Sequence, residues 1–322
     1  MTTGLTLRRK LGTFRNGALL LAAVTVMGGG SHSDAGVATA APSKVIFVNV
    51  GQGDAVVMRI GGKVIVSDTG EHRYEVLEEA LREGVEAKRV DVLILGHPHD
   101  DHSRNAARLL REWQVGRVVM NRSLWWDGTK SNRAVMAAVR DEPGLEREFP
   151  RAGDRFGWGG AEWVFLNPPA EEFLSASSRI AGNSSLAYLL RVNGVTALFT
   201  GDIERNVAKR MARMLDPALA EPVDIFLATH HGSKEGSIEE LLDVIRPRWS
   251  VLSTGENDYE HPSLEAISRL EGAGASIWCT DTNGSVTARI SARGTLTWRA
   301  SLQVAPWWSA KARRQTGVCV KR

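Results

Sequence analysis

The chain has 322 residues, 43% of them hydrophobic, which is enough apolar material for a sizeable core and excludes disorder for most of its length. Lys and Arg number 40 against 37 Asp and Glu, so the charge balance is nearly even and favours anionic partners only weakly. Neither of the two cysteines, Cys279 and Cys319, has the spacing of a zinc-thiolate site. In an oxidising compartment they either pair or remain separate thiols.

In chain order, Arg8, Arg9, Lys10 and Arg15 precede an apolar run from Ala18 to Met27, followed by small residues through Ala41. This order predicts a secretory signal peptide over residues 1–41, with the small-x-small pattern Ala38-Thr39-Ala40 placing cleavage near Ala40. The cleaved product is then secreted and extracellular, with no stable membrane span. If the segment is retained, the chain is membrane-anchored instead.

From Val45 to Ser67, short apolar runs broken by Gly51-Gln52-Gly53-Asp54 and Gly61-Gly62 predict a meander of strands. Residues 74 to 83 carry helical spacing through Val76, Leu77, Ala80 and Leu81. Val90 to Leu95 is almost continuously apolar, as a strand covered on both faces requires, and helical spacing resumes from Asn105 to Trp113. Further strands are predicted at 162–166, 185–192, 195–200, 225–228, 249–253 and 276–279, with helices near 205–214, 237–245 and 263–271. That order fits an α+β domain of two packed sheets with helices outside, over residues 43–300. Residues 125–156 are the least regular and are expected to form a loop over the site, and 301–322 a basic peripheral tail.

Between the apolar strand and the next helix stands His97-Pro98-His99-Asp100-Asp101-His102. Imidazole nitrogens and a carboxylate so close in sequence, on a loop free of strand or helix periodicity, can converge on one divalent ion. Such donors suit a hydrolytic site that keeps a position open for water.

The pattern His-x-His-x-Asp-His resembles the defining motif of the metallo-β-lactamase superfamily, which implies an αββα sandwich. The stretches Val48 to Asp54, Ser67-Asp68-Thr69-Gly70, Thr200-Gly201-Asp202-Ile203, Thr229-His230-His231-Gly232-Ser233 and Tyr259-Glu260-His261-Pro262 resemble the hydrolase domain of the ComEC competence-protein family. The resemblance implies two divalent metal ions, with His97 and His99 on one, Asp101 and His102 on the other, and Asp202 bridging both. One of His230 and His231 completes the second ion, and His230 is preferred because it follows its strand directly. A water held between the ions would be the nucleophile. The superfamily's usual further histidine on the first ion is missing, since that region reads Gly182-Asn183-Ser184-Ser185. Two imidazoles, with Asn183 or water, then remain for the first ion, so manganese or magnesium is as reasonable there as zinc.

Asp68 either holds a ligand histidine through its second ring nitrogen or caps a turn. His261 either protonates a leaving group, contacts phosphate, or is an ordinary loop histidine. Asn183, Ser184, His231 and Lys234 are candidate substrate contacts, Asp54 shapes the pocket, and Trp125-Trp126 either stacks on bases or packs. Together these predict a secreted metal-dependent phosphodiesterase acting on nucleic acid, with no protein partner. The alternatives are a hydrolase of a lactone, lactam or thioester, and a non-catalytic binding protein on the same fold.

Overall fold

The alternating apolar residues of the first third build a meander in the computed structural model, which describes residues 41–83, 87–121, 129–169, 178–215 and 221–302. The signal segment up to residue 40, Trp125-Trp126, Cys319 and the tail from residue 303 lie outside the described residues. Strands β1 (Ser43–Phe47), β2 (Ala55–Ile60) and β3 (Lys63–Thr69) pair antiparallel in sequence order. Helix α1 (Tyr74–Arg82) then crosses over to β4 (Arg89–Leu95), which joins β3 in parallel. The metal motif follows β4 and runs into the single turn α2 (Asp100–Ser103), succeeded by α3 (Ala106–Glu112) and β5 (Gln114–Met120).

Where a loop was expected, residues 130–141 form helix α4 (Lys130–Asp141). Its apolar stripe is narrow, with Val135 and Val139 buried one turn apart, so composition hid it. Its start is nevertheless encoded, because the Thr129 hydroxyl accepts the Asn132 amide at 3.2 Å as an N-cap. The short β6 (Glu146–Glu148) closes this half of the sheet beside β5.

The second sheet begins with β7 (Arg155–Trp158), β8 (Ala161–Asn167), α5 (Ser178–Asn183), β9 (Ala187–Val192) and β10 (Val195–Phe199), all of its strands antiparallel so far. Helix α6 (Arg205–Leu215) leads to β11 (Ile225–Leu227), α7 (Glu239–Ile245) to β12 (Trp249–Leu252), and α8 (Leu264–Gly272) to β13 (Ser276–Cys279). β10 to β13 run parallel, as helical crossovers dictate. After the turn α9 (Thr280–Asn283), β14 (Val286–Ile290) and β15 (Leu296–Ala300) return to the first sheet. The sheet orders are β15-β14-β1-β2-β3-β4-β5-β6 and β13-β12-β11-β10-β9-β8-β7.

Apolar side chains fill three layers. Phe47, Met58, Ile65, Trp163, Phe165 and Tyr188 pack between the sheets. One outer face holds Leu77, Leu81, Leu109 and Val135 from α1, α3 and α4, and the other Met211, Leu241 and Ile267 from α6, α7 and α8. Burying each such side chain contributes about 1.5–3 kcal/mol, so the two sheets are held face to face by packing. This is the αββα sandwich, and all described residues belong to one compact unit. Among the described residues no helix is long and apolar enough to cross a membrane.

Candidate metal centre

Parallel strands end together, and the loops that leave their carboxyl ends meet at one rim of the sandwich. From β4, the Gly96 amide donates to Asp68 Oδ1 at 2.7 Å, fixing the chain where His97 begins. The following turn α2 brings Asp101 and His102 inward, with the Ser103 amide donating to the His99 carbonyl at 3.0 Å. From the second sheet, the His230 amide donates to the Gly201 carbonyl at 3.0 Å, and the Thr200 and Thr229 hydroxyls meet at 3.0 Å. The loops after β10 and β11 are thereby locked side by side. His230 and His231 both adopt left-handed backbone, with φ of 50° and 53°. For β-carbon-bearing residues this conformation is costly, and it swings two consecutive imidazoles toward Asp202.

Two donor groups share Asp202. One is Asp101, His102, Asp202 and His231, and the other is His97, His99 and Asp202. In the first, His102 Nε2 and His231 Nε2 stand 3.2 Å apart, and His231 Nε2 is 3.2 Å from Asp101 Oδ2. In the second, His97 Nε2 and His99 Nδ1 are 3.0 Å apart. Donors around one ion at bonds of about 2.0–2.2 Å stand roughly 3.3 Å from one another, so these spacings fit a divalent cation. Asp202 Oδ1 is buried without a hydrogen-bond partner among the described residues, as a metal-facing oxygen would be.

The far side of three rings is tied down. His102 Nδ1 donates to Asp68 Oδ2 at 2.9 Å, His231 Nδ1 to the Ser253 carbonyl at 2.9 Å, and His97 Nδ1 to Ser185 Oγ at 3.2 Å. Each bond leaves a lone pair on the inward nitrogen and fixes the ring. Ser185 Oγ also accepts the Asp202 amide at 3.0 Å, so a single hydroxyl aligns two donors. Sequence reasoning missed Ser185, although its signal, the Ser184-Ser185 pair after Asn183, was in plain view. Asp68 stands behind the His102 ring, and Asp54 lies near it, with Oδ1 3.4 Å from His231 Nδ1.

The carboxylates dominate the local field. Burial disfavours the charged forms of His102 and His231, but Asp202, with Asp68 and Asp101 around the first and Asp54 around the second, holds both well above the usual imidazole range. Burial likewise opposes ionisation of Asp101, yet His102 and His231 hold it below the carboxylate range. His99 and His261 are pushed down to about 4, chiefly by burial. The carboxylates therefore favour positive charge at His102 and His231. Metal uptake at pH 7 is expected to release protons, and affinity is expected to rise with pH. Calorimetry in buffers of different ionisation enthalpy checks this, and equal heats in all buffers would contradict it.

Above the donors opens a cavity of about 960 Å³ whose walls include Gln52, Glu71, Asp100, Glu204, Tyr259 and His261. His261, expected either to protonate a leaving group, to contact phosphate or to be an ordinary loop histidine, lines the cavity. The other expected contacts are corrected by the structure. Asn183 turns away, its Oδ1 accepting the Glu204 amide at 2.8 Å and its Nδ2 donating to Glu204 Oε2 at 3.3 Å, because it closes the loop before α6. Ser184 offers its carbonyl to Asn121, and Lys234 is exposed and does not line the cavity. His231, expected to face substrate, belongs to the metal group. His230, expected in that group, is displaced from it because the left-handed turn aims the second imidazole of the pair, not the first, at Asp101 and His102. Gly182, in the segment where the further histidine was looked for, lies beside two donors. A β-carbon there would stand 3.4 Å from that of Asp202 and 3.9 Å from the His99 ring.

The family model of the metallo-beta-lactamase superfamily matches residues 48–256. The chain is 27% identical over 272 residues to ComE operon protein 3 of Bacillus subtilis (strain 168), covering 78% of this chain and 33% of that protein. It is 26% identical over 275 residues to Recombination protein 2 of Haemophilus influenzae, covering 83% and 31%. The chain thus spans about one third of the length of the curated relatives it matches. Among solved structures, the metallo-beta-lactamase fold protein YhfI from Bacillus subtilis superposes with a TM-score of 0.51 at 10% identity, over 80% of this chain and all, 100%, of that one. Igni18, a metallo hydrolase from Ignicoccus hospitalis, superposes with a TM-score of 0.50 at 13% identity, over 76% and 98%. With its fold, its shared-carboxylate donor set and these relatives, the chain belongs to the metallo-β-lactamase superfamily of metal-dependent hydrolases and is related to competence proteins.

Proposed function

We propose that the chain hydrolyses phosphodiesters in single-stranded nucleic acid, DNA foremost, using zinc or manganese with magnesium as a further option. The observation that carries this reading is the single carboxylate, Asp202, shared by two donor groups on the floor of the open cavity. Two divalent ions on such donors would acidify a water between them and offset charge on the attacking and leaving oxygens of an in-line displacement. Asp68 and Ser185 hold the rings of His102 and His97 in register, so little reorganisation is left for the reaction itself. His261, whose buried Nδ1 makes no hydrogen bond among the described residues, is placed to contact a substrate oxygen. No lysine or arginine lines the cavity among the described residues, and Arg104 is engaged with Glu71 and Asp100 at its edge. Charge neutralisation of a phosphodiester therefore falls to the donor groups.

The names of the relatives, concerned with competence and recombination, support a nucleic-acid substrate. The cavity mouth supports a stacked base. Tyr259 is 72% exposed there, on a loop that one buried side chain fixes. Asn257 Oδ1 accepts the amides of Tyr259 and His261 at 3.0 and 3.1 Å, while its Nδ2 donates to the carbonyls of Gly255 and His261 at 2.8 and 2.7 Å. The Tyr259 and His261 rings lie 5.9 Å apart and 34° from parallel, so an aromatic surface leads from solvent toward the metal centre. Stacking of one base contributes about 1–3 kcal/mol, so Tyr259→Ala is expected to raise KM for single-stranded DNA by roughly 5- to 150-fold. Tyr259→Trp should restore it, and an abasic oligonucleotide should not distinguish the variants. An equal loss on abasic substrate would remove the stacking role.

The test of the reaction class is turnover of single- and double-stranded DNA, a phosphodiester chromophore and a β-lactam, with and without Mn²⁺, Mg²⁺ or Zn²⁺. Metal-dependent cleavage of the phosphodiesters is expected. Lactam cleavage with no phosphodiester turnover would overturn the reading, and no turnover anywhere would make the fold a binding scaffold. Export is proposed from the basic, apolar and small-residue order of residues 1–41, and sequencing the amino terminus of secreted chain checks it.

A further inference from the structure

The two oxygens of Asp202 divide the surrounding imidazoles. Oδ1 faces His102 Nε2 at 3.1 Å and His231 Nε2 at 3.5 Å. Oδ2 faces His97 Nε2 at 3.3 Å and His230 Nε2 at 3.6 Å. The group on the Oδ1 side counts four donors and that on the Oδ2 side three, so the second is short by one. Gly182 packs closely on Asp202, where a β-carbon would lie 3.3 Å from the carbonyl oxygen, and has no side chain to supply a donor.

We infer that His230 is the missing donor, a third imidazole for the ion held by His97 and His99. Four observations carry the assignment. His230 Nε2 stands nearest the one Asp202 oxygen that also faces His97. Its backbone is held in the left-handed region, a strain that persists only where the surroundings enforce it, and the amide bond to Gly201 does so here. Its side chain is 28% exposed against 1% for His231, although both line the cavity. Its Nδ1 makes no hydrogen bond among the described residues, whereas His97, His102 and His231 are each tied from behind. An imidazole without that support is a mobile ligand, so the ion on the Oδ2 side is held less tightly than its neighbour and exchanges sooner. The histidine pair thus serves two ions from one turn, the first residue closing the outer site and the second the inner.

The inference rests on the metal-centre reading, and the test separates the two. Full chain stripped with chelator is titrated with Mn²⁺ by calorimetry as wild type, His230→Gly, His230→Asn, His231→Ala, His97→Ala and the double variant H97A/H230G. Glycine and asparagine both tolerate the left-handed backbone, so circular dichroism of the stripped variants should match wild type. Wild type is expected to take up two ions. His230→Gly should weaken the looser event by about 10- to 100-fold and leave the tighter one unchanged. H97A/H230G should weaken that event beyond either single variant and leave the tighter one unchanged, because both residues serve one ion. Loss of the tighter event in His230→Gly, as expected of His231→Ala, would overturn the assignment, and so would two undisturbed events. Uptake of a single ion that vanishes in His231→Ala also refutes it, and no uptake by wild type refutes the metal centre itself.

Discussion

Replacing Asp202 with alanine is expected to lower kcat/KM on phosphodiesters by at least about 10³-fold, the equivalent of roughly 4 kcal/mol of transition-state stabilisation. Among the described residues no other side chain belongs to both donor groups, so one substitution removes a ligand from each. It also removes the charge that most strongly favours protonated His102 and His231, so the pocket's attraction for cations falls together with its denticity. Asp202→Asn keeps the size and one oxygen acceptor but no charge, and is expected to fall between alanine and wild type. Two readouts make the result specific. Metal content by elemental analysis should drop in both variants, and the rise in Tm that metal gives the wild-type chain, worth about 2.7 kcal/mol at a hundredfold excess over Kd, should be lost in Asp202→Ala. Turnover within tenfold of wild type would mean that the shared carboxylate is not at the centre of the chemistry.

What the sequence made legible follows from how local each signal is. The strands of the meander and the parallel strand Val90 to Leu95 announce themselves because burial on one or both faces imposes a period that any window shows. His97 to His102 is legible for the same reason, since its donors are contiguous and their convergence needs only a loop. Helix α4 was not, because its buried face is only Val135 and Val139, and the surrounding charges look like loop. The contacts assigned to Asn183, Ser184 and Lys234 failed for a different reason. Whether a polar side chain enters a cavity depends on a few backbone torsions, and Asn183 spends both its amide groups on Glu204. The choice between His230 and His231 was decided by two positive φ angles that no residue-level pattern displays. Tyr259, noted only as part of a motif, was given no role because exposure of an aromatic ring is a tertiary property, though the Asn257 that fixes its loop stands two residues before it.

The second large effect is expected at a residue with no functional group. Gly53 has φ of +123°, and a β-carbon there would lie 2.1 Å from the Asp101 carbonyl oxygen and 2.9 Å from its carbon. Around it the loop after β1 is pressed into the metal loop, with the Asp54 amide donating to that same Asp101 carbonyl at 3.1 Å and Ser253 Oγ donating to the Gly53 carbonyl at 2.8 Å. Ser253 in turn accepts His231 Nδ1, so Gly53 lies against the supports of two donors at once. A methyl group cannot fit unless the Asp101 backbone retreats by about an ångström, which moves a ligand oxygen out of range and breaks the bond to Asp54. Gly53→Ala is therefore expected to cost about 2–4 kcal/mol of stability in denaturant unfolding, strain and overpacking together, and to weaken metal binding at least 100-fold. Gly62→Ala separates these causes, because Gly62 shares the positive φ, at +78°, with nothing within 4 Å of its β-carbon position. It should cost only the strain, about 1–2 kcal/mol, with metal affinity intact. If both variants lose stability equally and bind metal alike, the close approach of Gly53 to Asp101 does not hold the metal loop in place.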